Sequence, residues 1–240
     1  MPFVLTNQKI YVDGYNLTGT TNALALEYGA ELKDCTVLGD DTRVNKGGLK
    51  TVQLQVSGFY DANVNDENLY AKLGVADNPI SIAAEGTTVG DIAYFFEATG
   101  GELVTGETIG ELNKFSFGAG SSNTLIKGVL ANDSTETATG DGTGVQLGAV
   151  SGSQKLYATL HVVASSGSGD QTLDVTIGSD DNGGFTSEIN RLTFTQATTV
   201  VTSEMIEVAG AITDDYFRVN FAISGTGSPS FTFFVCFGVQ

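Results

Sequence analysis

The chain has 240 residues, with 31 Gly, only 3 Pro and no Trp; 41% of its residues are hydrophobic and 16% charged. That content supplies a core and places the chain outside the disordered class, and the length suits two domains. The formal charge is −17, with 19 acidic against 8 basic residues in 1–150 and 9 against 3 in 151–240, which excludes the cationic footprint that nucleic-acid binders use to neutralise phosphates.

Strand-like segments come first and dominate: KIYV (9–12), LALEY (24–28), TVQLQVSGF (51–59), ISIAA (80–84), IAYFFEA (92–98), KFSFGA (114–119) and TLIKGVL (124–130). TVQLQVSGF is the clearest, because Val52, Leu54 and Val56 alternate with Gln53, Gln55 and Ser57, the period of a half-buried antiparallel strand. Only NDENLYAKLG (65–74) reads as a helix. Asn65 would be its N-cap, Asp66 and Glu67 its first turn, Leu69 and Leu73 its buried face and Gly74 its stop.

Residues 132–153 (NDSTETATGDGTGVQLGAVSGS) are rich in Ser, Thr and Gly and poor in large apolar groups, so a boundary is expected there: one domain over 1–150 and a second over 151–240. The second part reads as KLYATLHVVAS (155–165), TLDVTIGSD (172–180), RLTFTQA (191–197), EMIEVAG (204–210), YFRVNFAIS (216–224) and SFTFFVCFGV (230–239). Short strands at this spacing suggest a second β-sandwich or jelly-roll-like module. The fold class is mainly β.

The candidate chemistry is thin. Asp180-Asp181-Asn182-Gly183-Gly184 clusters oxygen ligands, but lacks the alternate spacing and distant glutamate of a calcium loop and reads as a hairpin turn. Asp40 and Asp41 are neighbours, and neighbouring carboxylates on a strand point to opposite faces, which does not suit one ion. The single histidine, His161, sits among apolar residues and reads as a strand histidine rather than a general base. No G-x-S-x-G elbow is present, and Lys46-Gly47-Gly48 has neither the Walker spacing nor a following helix. Cys35 and Cys236 lie in strand-like stretches and read as two buried free thiols, their spacing offering no disulfide framework. No enzyme, metal or cofactor is expected. The start MPFVLTNQKIYV lacks a basic stretch followed by a long apolar run, and no apolar run reaches the ~20 residues of a membrane helix, so a soluble intracellular product is expected.

The order of elements over 27–61 carries more. Glu31, then Asp34 with Thr36, Gly39 with Asp40, Gly48 with Leu49 and Lys50, and a strand closing in Gly58, Phe59 and Asp61 follow one another. This order resembles the major tail tube proteins of long-tailed (siphovirus-like) bacteriophages, and the likeness runs to about residue 130. The resemblance implies an antiparallel β-sandwich with a flanking helix, six copies in a ring, and rings stacked into the tube of a virion tail through which DNA passes without specific binding. It also implies contacts with other tail proteins, and a subunit interface at the 39–50 loop, with Asp40, Asp41, Arg43, Lys46, Gly47 and Gly48 as the candidate residues. On this reading the glycine pair permits positive φ or the close approach of a neighbour, and the acidic charge suits a conduit that repels phosphates. The second module would sit outside the tube. Its presence departs from the basic tail tube pattern and leaves two alternatives open: a capsid decoration (cement) protein, and a virion protein whose C-terminal module binds host carbohydrate, with Tyr216 and Phe217 as platforms.

Overall fold

In this computed structural model, residues 7–198 and 201–240 are described. The chain is mainly β, with antiparallel sheets. In chain order the strands are β1 (Lys9–Val12), β2 (Tyr15–Asn16), β3 (Thr21–Asp34), β4 (Asn45–Phe59), β5 (Asn78–Ala83), β6 (Ile92–Thr105), β7 (Lys114–Ser121) and β8 (Ile126–Glu136). They continue with β9 (Gly140–Asp141), β10 (Val145–Gln146), β11 (Lys155–Ser166), β12 (Thr172–Asp180), β13 (Ile189–Thr193), β14 (Thr202–Ala209), β15 (Tyr216–Ser224) and β16 (Ser230–Val239). Among the described residues no helix is long and apolar enough to cross a membrane.

The backbone divides into two compact units, and the divide is not at residue 150. The first comprises 1–19, 78–96 and 126–240; the second comprises 20–77 and 97–125. The Gly/Thr-rich stretch expected as a linker belongs to the first unit: β9 and β10 both pair with β15. Two of its glycines sit where neighbours pack close. A Cβ on Gly142 would lie 2.5 Å from a Val219 methyl, and one on Gly144 2.4 Å from the Phe185 ring.

In the first unit one sheet runs β14-β11-β16-β8-β6-β5-β1-β2 and a second runs β10-β15-β12-β13. They pack as a sandwich. Strand β16 explains why: in SFTFFVCFGV, Phe231, Phe233, Val235 and Phe237 enter the core shared with Val175, Ile177, Phe217 and Phe221 of the second sheet. Phe221 meets Phe233 edge-on at 5.4 Å. Phe234 and Cys236 point the other way into a second cluster with Tyr11, Phe95 and Tyr157. A strand buried on both faces has no polar alternation to keep, hence the unbroken apolar run. On that second side the Tyr11 ring stacks on Phe234 at 4.2 Å, and its hydroxyl donates to Asp133 at 2.9 Å.

In the second unit four strands run β3-β4-β7-β6, β6 contributing its residues from Glu97 onward. The helix expected over 65–74 is much shorter. A wide turn over Ala62–Asp66 leads into a single α-turn, α1 (Glu67–Tyr70). Asp61, not Asn65, caps the turn by accepting from the Asn63 N–H. Asn65 is instead buried, donating to the Phe59 carbonyl and accepting from the Asp61 N–H. Leu69 is buried as expected, and Gly74 ends the segment at φ +72°.

Candidate assembly surface

The second unit holds a sheet with two unlike faces, and the strand registers sort its residues. Leu24, Val56, Phe117 and Leu103 stand in one row across the four strands, and Leu26, Leu54, Ala119 and Gly100 in the next. This is the apolar face, where Val52, Leu54, Val56, Phe115 and Phe117 are buried. The alternate rows are Ala23, Ser57, Ser116 and Val104; Ala25, Gln55, Gly118 and Glu102; and Glu27, Gln53, Gly120 and Thr99. These twelve positions hold small and uncharged polar groups, two carboxylates, no aromatic ring and no cation. Gln55 lies over Gly118, where a Cβ would come within 2.7 Å of its amide nitrogen. Over these rows so little apolar area gives nothing to drive burial inside one subunit; the next row on the same face pairs the exposed Phe59 with Lys114. Among the described residues strand β3, 14 residues long, pairs with β4 alone, which makes it a sheet edge of the kind that recruits another strand.

Beyond Tyr28 and Val52 the β3–β4 hairpin outruns its neighbours, because β7 ends at Ser121 beside Val52. From Gly29 to Thr51 every residue except Cys35 is exposed. This arm carries large apolar groups into solvent: Leu32, Val37, Leu38 and Leu49, with Leu38 fully exposed. Its tip nevertheless has a definite shape. The Asp34 carboxylate accepts from both the N–H and the hydroxyl of Thr36, which hold its pKa below the usual carboxylate range. Thr36 Oγ1 accepts from the Val44 N–H at 3.0 Å, and the Cys35 N–H donates to the Val44 carbonyl.

The six loop residues singled out in the sequence all lie on this arm. Asp40 accepts from the Val37 N–H at 2.9 Å and so serves the turn; Asp41 is exposed beside it. Arg43 lies 3.8 Å from Asp34 across the base of its own tip, with 83% of its side chain exposed. Lys46, Gly47 and Gly48 are exposed on β4. Neither glycine has a positive φ; the residue that does is Gly39, at +111°. At Gly48 the close approach comes from Glu31 on the partner strand, 3.3 Å from where a Cβ would sit, while Gly47 meets nothing. Sequence reasoning missed the exposed apolar groups of the arm, although Leu32, Leu38 and Leu49 amid polar residues were a visible signal.

The other candidates fall into structural roles. His161 is fully buried: Nδ1 accepts from the Gly14 N–H at 3.0 Å and Nε2 faces Ser81 Oγ at 2.9 Å, with Ser81 meeting Thr159. Burial pushes its pKa down to about 3, with Asp13 pulling weakly the other way. Residues 180–184 form the turn after β12, Asp180 accepting from the N–H groups of Asn182 and Ser187. No group of three or more His, Cys, Asp or Glu able to hold a metal occurs among the described residues. Of the proposed carbohydrate platforms, Phe217 is a core residue with no exposure, and the Tyr216 ring packs over Gly183. Both cysteines are free, but only Cys236 is buried; Cys35 is partly exposed on the arm.

No protein-family model and no curated protein matches the chain. Among solved structures, half of the chain (50%) is similar to 93% of a protein from the virion of a native gene transfer agent particle, at 13% identity and a TM-score of 0.43. A share of 52% is similar to 78% of a protein in the SPP1 tail tube, at 9% identity and a TM-score of 0.43. Over 98% of its length the chain is similar to the whole of the SPP1 Dit protein, described as a hub of the adsorption apparatus in phages infecting Gram-positive bacteria, at 12% identity and a TM-score of 0.39.

Proposed function

We propose that this chain is a structural protein of a phage tail, which assembles with copies of itself into rings and stacks those rings into the tube through which DNA passes. The observation that carries the reading is the sheet of the second unit: a face whose three central rows hold no cation and no aromatic ring, ending in the edge strand β3, with an arm that carries exposed apolar residues beyond it. An edge strand calls for a partner strand, and a second copy supplies one at every position around a ring. Heterologous contacts of this kind close into rings when the rotation allows. The bare face then lines the lumen. Glu27 and Glu102 repel phosphates there, and Ala23, Ala25, Ser57, Ser116 and Gly118 give DNA nothing to bind. The arm, with Asp40, Asp41, Arg43, Lys46, Gly47 and Gly48, lies at the contact with the next copy. The resemblance of residues 27–61 to tail tube proteins points the same way.

Negative-stain microscopy of the purified protein over a concentration series tests this. Rings, or tubes with a central channel, are the expected result. Dispersed monomers at every concentration would overturn the self-assembly reading, and binding to a capsid shell without tube formation would replace it with a decoration role.

A further inference from the structure

The four-stranded sheet of the second unit carries an unfilled recess at one end and an apolar knob at the other. The recess lies at the base of the arm, where β7 ends beside Val52. Tyr28, Lys50, Val52 and Leu125 line it together with the polar residues Ser121, Ser122, Asn123 and Thr124; it is open to solvent and has a volume of about 280 Å³. Tyr28 is 46% exposed there, and the Lys50 ammonium stands 5.8 Å from the centre of its ring. The knob is the β6–β7 turn, residues 106–113. Ile109 is fully exposed and Leu112 is 70% exposed. The turn also carries two carboxylates: Glu107 is held by Lys114 at 2.8 Å, and Glu111 is exposed between the two apolar residues.

The registers put these features at opposite ends of one sheet. Phe59 pairs with Lys114 beside the knob, whereas Val52 and Tyr28 pair at the recess. Lys50 and Phe59 are nine residues apart on β4, roughly 30 Å at ~3.3 Å per residue. A projecting turn and a recess at opposite ends of one sheet cannot meet within one subunit, but they meet between two copies related head to tail. Such a contact repeats without limit.

We propose that the 106–113 turn of one copy seats in the recess at the base of the arm of the next copy along the tube, Ile109 and Leu112 covering the exposed Tyr28 ring while Glu111 pairs with Lys50. The contact joins successive rings, and so rests on the self-assembly reading above. Charge complementarity fixes the orientation, since an anionic knob meets a cationic recess in a chain that is otherwise strongly acidic.

The test uses the full chain with Cys35→Ser as background. Lys50→Cys and Glu111→Cys are introduced together, the assembled protein is oxidised, and the products are run on a denaturing non-reducing gel. A ladder of cross-linked chains is expected from the double variant and none from either single variant. In parallel, Ile109→Asp should raise the concentration needed for stacking about ten-fold or more, with an unchanged circular dichroism spectrum. Glu111→Lys should do the same, and adding Lys50→Glu should restore stacking. Wild-type tubes with no ladder and unimpaired stacking of Ile109→Asp would overturn this contact while leaving self-assembly standing. A wild type that never assembles would overturn both.

Discussion

Acid should weaken the first unit through a single side chain. His161 is fully buried among Gly14, Ser81 and Thr159, and burial lowers its pKa from 6.5 to about 3. In the unfolded chain the imidazole takes up a proton below about pH 6.5; in the folded chain it stays neutral until about pH 3. The unfolded state therefore binds more protons throughout that window, and stability must fall as the pH drops through it and level off below. Each pH unit costs about 1.4 kcal/mol, so near pH 4 the loss from this residue is about 3 kcal/mol, a large share of the 5–15 kcal/mol typical of a domain. The assay is urea unfolding at a series of pH values for the wild type and His161→Gln. The variant is less stable at pH 7, because the Gly14 N–H loses its acceptor, but its stability declines less steeply between pH 6.5 and 4. Carboxylates titrate equally in both proteins, so the difference in slope isolates the histidine. Parallel curves for the two proteins would refute the reasoning.

Limited digestion of unassembled protein with proteinase K, which cuts after many residue types, should begin within 29–51 on the arm, which is exposed and buries nothing of its own, and leave 132–153 intact; early cleavage in 132–153 would contradict its place against β15. Phe233→Ala, removing a fully buried ring from the sandwich core, should cost about 3–5 kcal/mol in chemical denaturation, whereas Leu38→Ser on the arm should change stability by less than about 0.5 kcal/mol and still impair assembly in a sedimentation assay. Gel-shift titrations with duplex DNA should show no binding even at low salt, given the −17 charge; salt-sensitive binding would remove the conduit reading. Arg43→Glu should fold normally, since its own-chain partner lies 3.8 Å away at an exposed site, and should block polymerisation if the tip meets a neighbour's carboxylates.

The strands were legible wherever burial imposes a rhythm. Val52, Leu54 and Val56 alternate because one face of β4 is covered, and SFTFFVCFGV is continuous because both faces of β16 are. Where nothing is covered the rhythm stops, so β3 and β4 were legible only as 24–28 and 51–59 although the hairpin runs from Thr21 to Phe59. The short helix was over-read because Asn65 and Leu73 fit a cap and a stripe, whereas Asn65 spends its amide on the Phe59 carbonyl inside the turn. The domain boundary failed for another reason. Composition sees local polarity, while the pairing of β1 with β5 and of β8 with β16 joins residues far apart in sequence. For the surface, the order of residues over 27–61 pointed to the arm, but not to its apolar load or to the 106–113 turn, since exposure there depends on which strands stop short.

The interruption of the first unit bears on when the protein can fold during synthesis. Strand β16 comes after every other strand of its sheet, yet it stands between β11 and β8 and supplies the rings at the centre of the core. The N-terminal β1 likewise waits for β5, roughly 70 residues later. While the chain is still emerging from the ribosome, the long-range pairings that close the sandwich are out of reach, whereas the second unit is fully translated by Leu125. The module with the sheet edge and the arm is thus complete first, and its exposed edge has to stay in solution while the strands from β8 to β16 are translated. An abundance of acidic residues, by keeping nascent chains apart, would matter most in that interval.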